Sequence, residues 1–257
     1  MDEPGAANVA ANVAAMAIRM DICIVMDCTG SMGRWIDAAR DTVLQAVEDI
    51  RRDQQPSQLR LAFVGYRDIG EPTRFVIHNF TNAIEKVQQL IRDTMAYGGN
   101  DAAEDVAGAL AHVSELNWDA ESKLIVFCAD APAHGHIYHE PMLSDRYPRG
   151  DPEGHDPKSL VEILAARGID FTIFRINDSV DKMIKVFAEA HSSGASRANI
   201  YQPVFTVLSV ENQDGPQPES PIGDLISEAE RTFSVGMSQA SDTYARVRST
   251  YSKLPQK

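Results

Sequence analysis

ICIVMDCTGS, residues 22–31, sets five apolar residues in a row against an aspartate and then a short turn of small and hydroxyl-bearing residues. An unbroken apolar run of this length describes a strand covered on both faces, as in a parallel sheet, rather than one that alternates between core and water. The strand ends at Asp27. Cys28, Thr29 and Gly30 turn the chain into Ser31, from which Trp35, Ala38, Val43, Ala46, Val47 and Ile50 recur at helical spacing until Gln54, Gln55 and Pro56 break the pattern.

The same grammar repeats outward from that stretch. LRLAFVGY (59–66) is a second strand, and after a turn at 70–72 the alternating RFVIHNF (74–80) reads as an antiparallel edge strand because the link is short. Helices are predicted over Asn82–Thr94 and Asp101–Glu115, separated by the Gly98-Gly99 turn. KLIVFCAD (123–130) is another buried strand that ends in a carboxylate, Asp130. Residues 131–156 hold four prolines and three glycines, too many breakers for an element, and read as a long functional or mobile loop. A helix over Pro157–Arg167, a strand over Ile169–Ile176, a helix over Asp178–Ala190 and a strand over Asn199–Ser209 complete the series. Alternation of this kind implies an α/β class, a doubly wound, mainly parallel six-stranded sheet with one antiparallel edge strand and helices on both sides. Ligands of such sheets bind beyond the carboxyl ends of the strands, near the point where the strand order reverses.

Composition narrows the partners. With 37 acidic against 24 basic residues the net charge is −13, and no stripe of Lys or Arg exists to neutralise phosphates, which disfavours nucleic acid and anionic membranes. Cys23, Cys28 and Cys128 have no C-x-x-C spacing and lie in or beside apolar runs, a pattern that suits a reducing cytoplasm. Residues 1–17 read as a flexible leader, 18–210 as the α/β domain and the acidic, proline-rich 211–222 as a linker. Residues 223–257 read as an amphipathic helix with a stripe of Ile226, Ala229, Phe233, Met237, Ala240, Tyr244, Val247 and Tyr251. That stripe either docks on the domain's own sheet or, through 223–251, pairs with a partner helix.

Chemistry is expected where the strands end. Asp27, Thr29 and Ser31 bring one carboxylate and two hydroxyls to one turn, Asp130 adds a second strand-end carboxylate, and the Gly98-Gly99-Asn100-Asp101 turn should face the same side. Hard oxygen donors suit Mg²⁺ or Mn²⁺, with Ca²⁺ also possible. Taken singly, Asp27 would pass for a helix cap; the spacing of the set favours a metal. His134, His136, His139 and His155 invite a zinc reading, but their spacing has no helix or strand to fix it, and solvated loop histidines are the plainer account. The chain lacks a D-x-D pair, a P-loop, a G-x-S-x-G elbow and the H-R-D and D-F-G kinase signatures, so a non-enzymatic role is expected.

DCTGS at 27–31 resembles the D-x-S-x-S signature of von Willebrand factor A domains, and DCTGSM, GYRD, GG-x-D-x-x-E-D-V-x-G-A-L and D-A-P-x-H-G resemble a eukaryotic subgroup that includes the domains found beside alpha-type kinase domains. The resemblance covers roughly 20–208. It implies the Rossmann-like fold and a metal-ion-dependent adhesion site in which Asp27, Thr29, Ser31 and Asp130 hold the cation. The family's second-loop threonine is missing; Asp101 takes its approximate place, with Glu104 the alternative register. The function so implied is a metal-ion-dependent scaffold or protein-binding module that engages an acidic side chain of a partner, with Arg34, His134 and His136 on the rim. The alternatives are a structural or regulatory module whose metal site stays closed and, less favoured, a metal-dependent hydrolase.

Overall fold

Strand β1 (Arg19–Asp27) is buried at every position after the first, and both of its faces are covered. In the computed structural model, which describes residues 18–34 and 58–209 together with Val47, Arg52, Thr243, Ala245, Arg246, Val247 and Ser249, β1 lies at the centre of a six-stranded sheet. The other strands are β2 (Gln58–Tyr66), β3 (Phe75–Thr81), β4 (Ser122–Ala129), β5 (Asp170–Arg175) and β6 (Phe205–Ser209), in the spatial order β3-β2-β1-β4-β5-β6. All pairs are parallel except β2 with β3, the antiparallel edge, whose register shifts at a bulge between Leu61 and Phe63. The expected doubly wound sheet is therefore present.

Alternate residues of each strand feed two separate cores, which is why the sequence shows a continuous apolar run instead of a period of two. Met20, Ile22, Ile24 and Met26 of β1 join Phe63, Val126 and Phe174 beneath helix α1 (Ile84–Asp93), with Val47 and Val247 in the same cluster. Cys23 and Val25 face the other way with Val64, Phe127 and Phe171, beneath α2 (Val106–Glu115), α3 (Pro157–Ala166) and α4 (Asp181–Ala195). Each buried Phe, Leu or Ile in these layers contributes about 1.5–3 kcal/mol. Gly194 lets α4 lie against α3, since a Cβ there would fall 2.1 Å from the carbonyl oxygen of Glu162. At the amino end of the sheet Asp21, fully buried, accepts a forked pair of bonds from Arg60 at 2.8 and 2.6 Å and two more from the amides of Asp119 and Ala120.

Element boundaries depart from the sequence reading at three places. Helix α2 begins at Val106, not Asp101, because Asp105 caps it through Gly108 N at 2.9 Å while 101–105 is drawn out alongside the loop after β4. Strand β6 begins at Phe205 rather than Asn199, and α4 runs on to Ala195 after a short 3-10 turn at Asp178–Val180. No helix among the described residues is long and apolar enough to cross a membrane.

The leader 1–17, the linker 211–222 and most of the segment 223–257 lie outside the described residues. Among the described residues of that last segment, Thr243, Arg246 and Val247 reach the domain. Thr243 Oγ1 and Arg246 Nη2 each donate to Asp170 Oδ2 at 2.6 Å, Arg246 Nε donates to Tyr201 OH at 3.1 Å, and Val247 is buried in the core beneath α1. These contacts anchor the segment at the start of β5. Truncation after Asp214 should lower stability by about 3 kcal/mol, since it strips a buried carboxylate of its cationic partner and opens the core around Val247. Thermal denaturation and dye binding check this, and an unchanged midpoint would show that the segment contributes nothing to the domain.

A candidate metal-binding site at the carboxyl edge of the sheet

The reversal of strand order falls between β1 and β4, and both strands end there in a carboxylate. Asp27 is fully buried; its Oδ1 accepts bonds from Thr29 N at 2.8 Å and Thr29 Oγ1 at 2.7 Å. The Thr29 and Ser31 hydroxyls lie 3.2 Å apart, and Ser31 Oγ donates to Asp130 Oδ1 at 3.0 Å. Asp27, Thr29, Ser31 and Asp130 thus form one unbroken polar chain across the switch point. The second oxygen of Asp27, Oδ2, is buried and has no hydrogen-bond partner among the described residues. Ser31, the exposed member of this chain, opens the site to solvent.

Backbone contacts hold this turn from the side. Cys28 N donates to Tyr66 O, Gly30 N to Gly98 O, and Tyr97 N to Cys28 O, at 2.8–3.0 Å. Gly98 and Gly99 have φ of +81° and +87°, a conformation that glycine adopts without steric cost. A Cβ on Gly30 would sit 3.1 Å from Gly98 O, so the two loops touch through backbone alone.

The second-loop carboxylates part company. At Gly99 a Cβ would lie 2.9 Å from Glu104 Oε1 and 3.5 Å from Thr29 Cβ, so Glu104 and Thr29 line the same gap. Glu104 is held there by its own backbone, whose N–H donates to Pro132 O at 2.9 Å, and its Oε2 is buried without a partner. Asp101 turns elsewhere: its Oδ2 accepts from the Arg146 N–H, and it groups with Asp68 and His134. The drawn-out 101–105 segment separates the two, and Asp105, a good cap residue just ahead of an apolar run, was the available signal for the later helix start.

Electrostatics follow from the crowding. Burial, and then the charge of Asp130, push the Asp27 carboxyl up to about 7 against the opposing effect of the Thr29 bonds and of Arg67. Glu104 is raised by burial and by the charges of Asp27, Asp68, Asp101 and Asp130, which places it between the two carboxylate groups. Arg67, almost wholly buried, donates to Thr73 O at 2.8 Å and Met95 O at 2.5 Å and lies over the Tyr97 ring at 4.0 Å. It braces the loop under Gly98 more than it neutralises any single acid. A donor set of two carboxylates and two hydroxyls with a further buried carboxylate beside it, and with orphaned oxygens on Asp27 and Glu104, fits a hard divalent cation.

Of the expected rim, His136 is exposed, the Arg34 side chain lies outside the described part, and His134 is buried. His134 and His139 are not solvated loop histidines. Both hydrogen-bond Asp145, whose oxygens also accept from Gly135 N and Tyr147 N, and this knot fixes a loop that has no helix or strand. His155 instead meets Asp151 at 2.8 Å. The Cys28 thiol is buried and donates to Met26 O at 3.4 Å. Arg67 and Asp68 stand in the GYRD stretch quoted for the resemblance but received no role there, and Asp145 was not singled out, because their parts are set by contacts such as Arg67 with Met95, Asp68 with His134 and Asp145 with His134.

Residues 21–144 match the family described as von Willebrand factor A domain. The alpha-protein kinase vwkA of Dictyostelium discoideum is 27% identical over 160 residues, 62% of this chain and 25% of that protein. A putative ariadne-like RING finger protein, R811, of Acanthamoeba polyphaga mimivirus is 28% identical over 156 residues, 58% of this chain and 15% of the other. Among solved structures, the pilus adhesin SpaC from Lactobacillus rhamnosus GG in its open conformation superposes with a TM-score of 0.55 at 14% identity, over 89% of this chain and 30% of the adhesin, and a second form gives 0.57. This chain therefore spans a quarter or less of the length of these two relatives, and the structural likeness speaks to fold alone. Sheet order, strand-end carboxylates and these matches agree: over residues 21–144 the chain matches the von Willebrand factor A domain family, and it is similar to an alpha-type protein kinase.

Proposed function

We propose that the domain is a metal-ion-dependent protein-binding module rather than an enzyme, with Mg²⁺ or Mn²⁺ held by Asp27, Thr29, Ser31 and Asp130. The observation that carries this reading is the polar chain from Asp27 to Asp130 with Asp27 Oδ2 buried and unpartnered beside it. When bound, the cation supplies a Lewis-acidic position for an acidic side chain of a partner protein. The chain's own residues do the rest. Asp27 and Thr29 are buried and fixed by the strand end, while Ser31 is exposed and marks the side from which a partner approaches. Family members generally mediate protein–protein contacts, and the net charge of −13 suits neither nucleic acid nor an anionic membrane. The three buried cysteines form no disulfide, in keeping with a reducing cytoplasm.

One feature favours a second reading. Glu104 brings a third carboxylate to the gap beside Thr29, and an added negative charge neutralises more of the cation and weakens it as an acceptor for a partner's carboxylate. A regulatory module whose metal stays closed would look like this. Capture of a partner by the full chain that is lost in chelator and restored by Mg²⁺ supports the open site, whereas capture indifferent to chelator supports the closed one.

Two expectations test the metal itself. Asp27→Ala should abolish Mg²⁺ and Mn²⁺ binding in calorimetry while the fold persists, because the site lies on loops; unchanged affinity would sink the assignment. The second concerns pH. The metal-free Asp27 carboxyl, raised from 3.8 to about 7, contributes stability that is fully present below its unfolded value and lost as pH rises through 7. Mg²⁺ must displace that proton, so the rise in melting temperature on adding Mg²⁺ should be larger at pH 8 than at pH 6. In Asp27→Asn the dependence should flatten.

A further inference from the structure

Asp68, Asp101 and His134 come from three loops, those after β2, before α2 and after β4, and their candidate donor atoms all lie within 4.8 Å of one another. We propose that these three residues form a second divalent-cation site, separate from that of Asp27, which takes a borderline transition ion, Zn²⁺ first and Mn²⁺ more weakly. The proposal does not depend on the Asp27 site being loaded.

Spacing supports it first. Donors held about 2.1 Å from one ion lie roughly 3.0–3.4 Å apart when adjacent. His134 Nε2 and Asp68 Oδ1 are 2.9 Å apart, close to the separation of neighbouring ligands, and Asp101 has a carboxylate oxygen within 4.8 Å of both, near enough to close onto a shared ion by a side-chain adjustment.

The imidazole is also oriented as a ligand. His134 Nδ1 is 2.8 Å from Asp145 Oδ1, and Asp145 is itself fixed by the amides of Gly135 and Tyr147 and by His139. A carboxylate that accepts a hydrogen bond from Nδ1–H leaves the Nε2 lone pair facing Asp68, the arrangement by which an outer carboxylate sets the tautomer of a metal-binding histidine.

Orphaned oxygens give an independent sign. Asp68 is completely buried, and among the described residues its Oδ2 has no hydrogen-bond partner; Asp101 Oδ1 is likewise buried and unpartnered among them. A protonated His134 held between Asp68 and Asp145 accounts for both ring nitrogens but for neither of these oxygens. A cation held by His134 Nε2, Asp101 Oδ1 and both oxygens of Asp68 accounts for all of them. One nitrogen among oxygens distinguishes this set from the all-oxygen Asp27 group, and favours Zn²⁺ over Mg²⁺ or Ca²⁺. With Asp101 also accepting from Arg146 N, the ion would tie the three loops that frame the Asp27 site into one unit.

The test uses the full chain with Zn²⁺ as probe in Mg²⁺-containing buffer, counted by equilibrium dialysis and metal analysis. Asp27→Ala should lose Mg²⁺ yet keep one tightly bound Zn²⁺ per chain. His134→Gln and the partly exposed Asp101→Asn should each weaken Zn²⁺ binding at least about tenfold, and Asp145→Asn about tenfold through the lost orientation of the ring. Circular dichroism establishes that each variant is folded, and Asp101→Asn carries the test if His134→Gln is not. Loss of all stoichiometric Zn²⁺ in Asp27→Ala overturns the proposal, as does a folded Asp101→Asn that binds Zn²⁺ like the parent. His155→Gln, in the exposed Asp151–Glu153–His155 group, should change nothing; if it alone removes the Zn²⁺, the ion lies there and the Asp68 site is refuted.

Discussion

The parallel pairing of β1 with β4, in which Met26 lies beside Cys128, is the constraint on which the carboxyl edge depends. It puts two strand ends that are a hundred residues apart in sequence side by side, each finishing in an aspartate. Parallel neighbours need long crossovers, and those crossovers run to opposite sides of β1 and β4, which leaves the crevice between their ends open. Both strands are covered on both faces, so their register is fixed by two cores at once. A slip of one residue would exchange the cores and withdraw Asp27 from Thr29 and Ser31.

Above that crevice the protein concentrates negative charge. Asp27, Asp130 and Glu104 border one gap, Asp68 and Asp101 the next, and the buried Arg67 guanidinium supplies the positive charge felt at Asp27. Buried acids so arranged resist ionisation together, as the raised values of Asp27, Asp101 and Glu104 express. Burial of this kind costs stability, and the fold supplies it from elsewhere: from two apolar layers, from Asp21 gripped by Arg60 at the far edge, and from Asp170 gripped by Arg246. Sites that bind ions are commonly maintained in this way, with the strain at the edge and the compensation in the body.

Similarity to an alpha-type protein kinase, a RING finger protein and a pilus adhesin shows one fold in very different surroundings. The family match runs over 21–144, from β1 into the loop that follows β4. Within this chain that loop, 131–156, is held by side chains instead of by a helix or strand. Its buried His134 and His139 on Asp145 turn a stretch without helix or strand into a rigid wall, so a lack of regular structure does not amount to looseness.

How much was legible in advance depends on range. Apolar runs ending in Asp27 and Asp130, and helical spacing between them, determine the α/β class, the antiparallel edge and the group Asp27, Thr29, Ser31 and Asp130, because a strand's burial and its terminal residue are written in consecutive positions. Which second-loop acid faces that group was not determined. Asp101 and Glu104 are three residues apart in a segment that any helical pattern would accept, and only the pairing of Glu104 with Pro132 and Ala133 draws it straight and turns the two side chains apart. The same holds for His134 and His139, whose polar, breaker-rich surroundings describe a solvated loop until Asp68 and Asp145 arrive to bury them. Sequence by itself determined the sheet and the primary carboxylates, since those follow from local periodicity. Tertiary structure alone decided which charges share a pocket, since electrostatic neighbours in this fold are set by loops that meet across the sheet and not by distance along the chain.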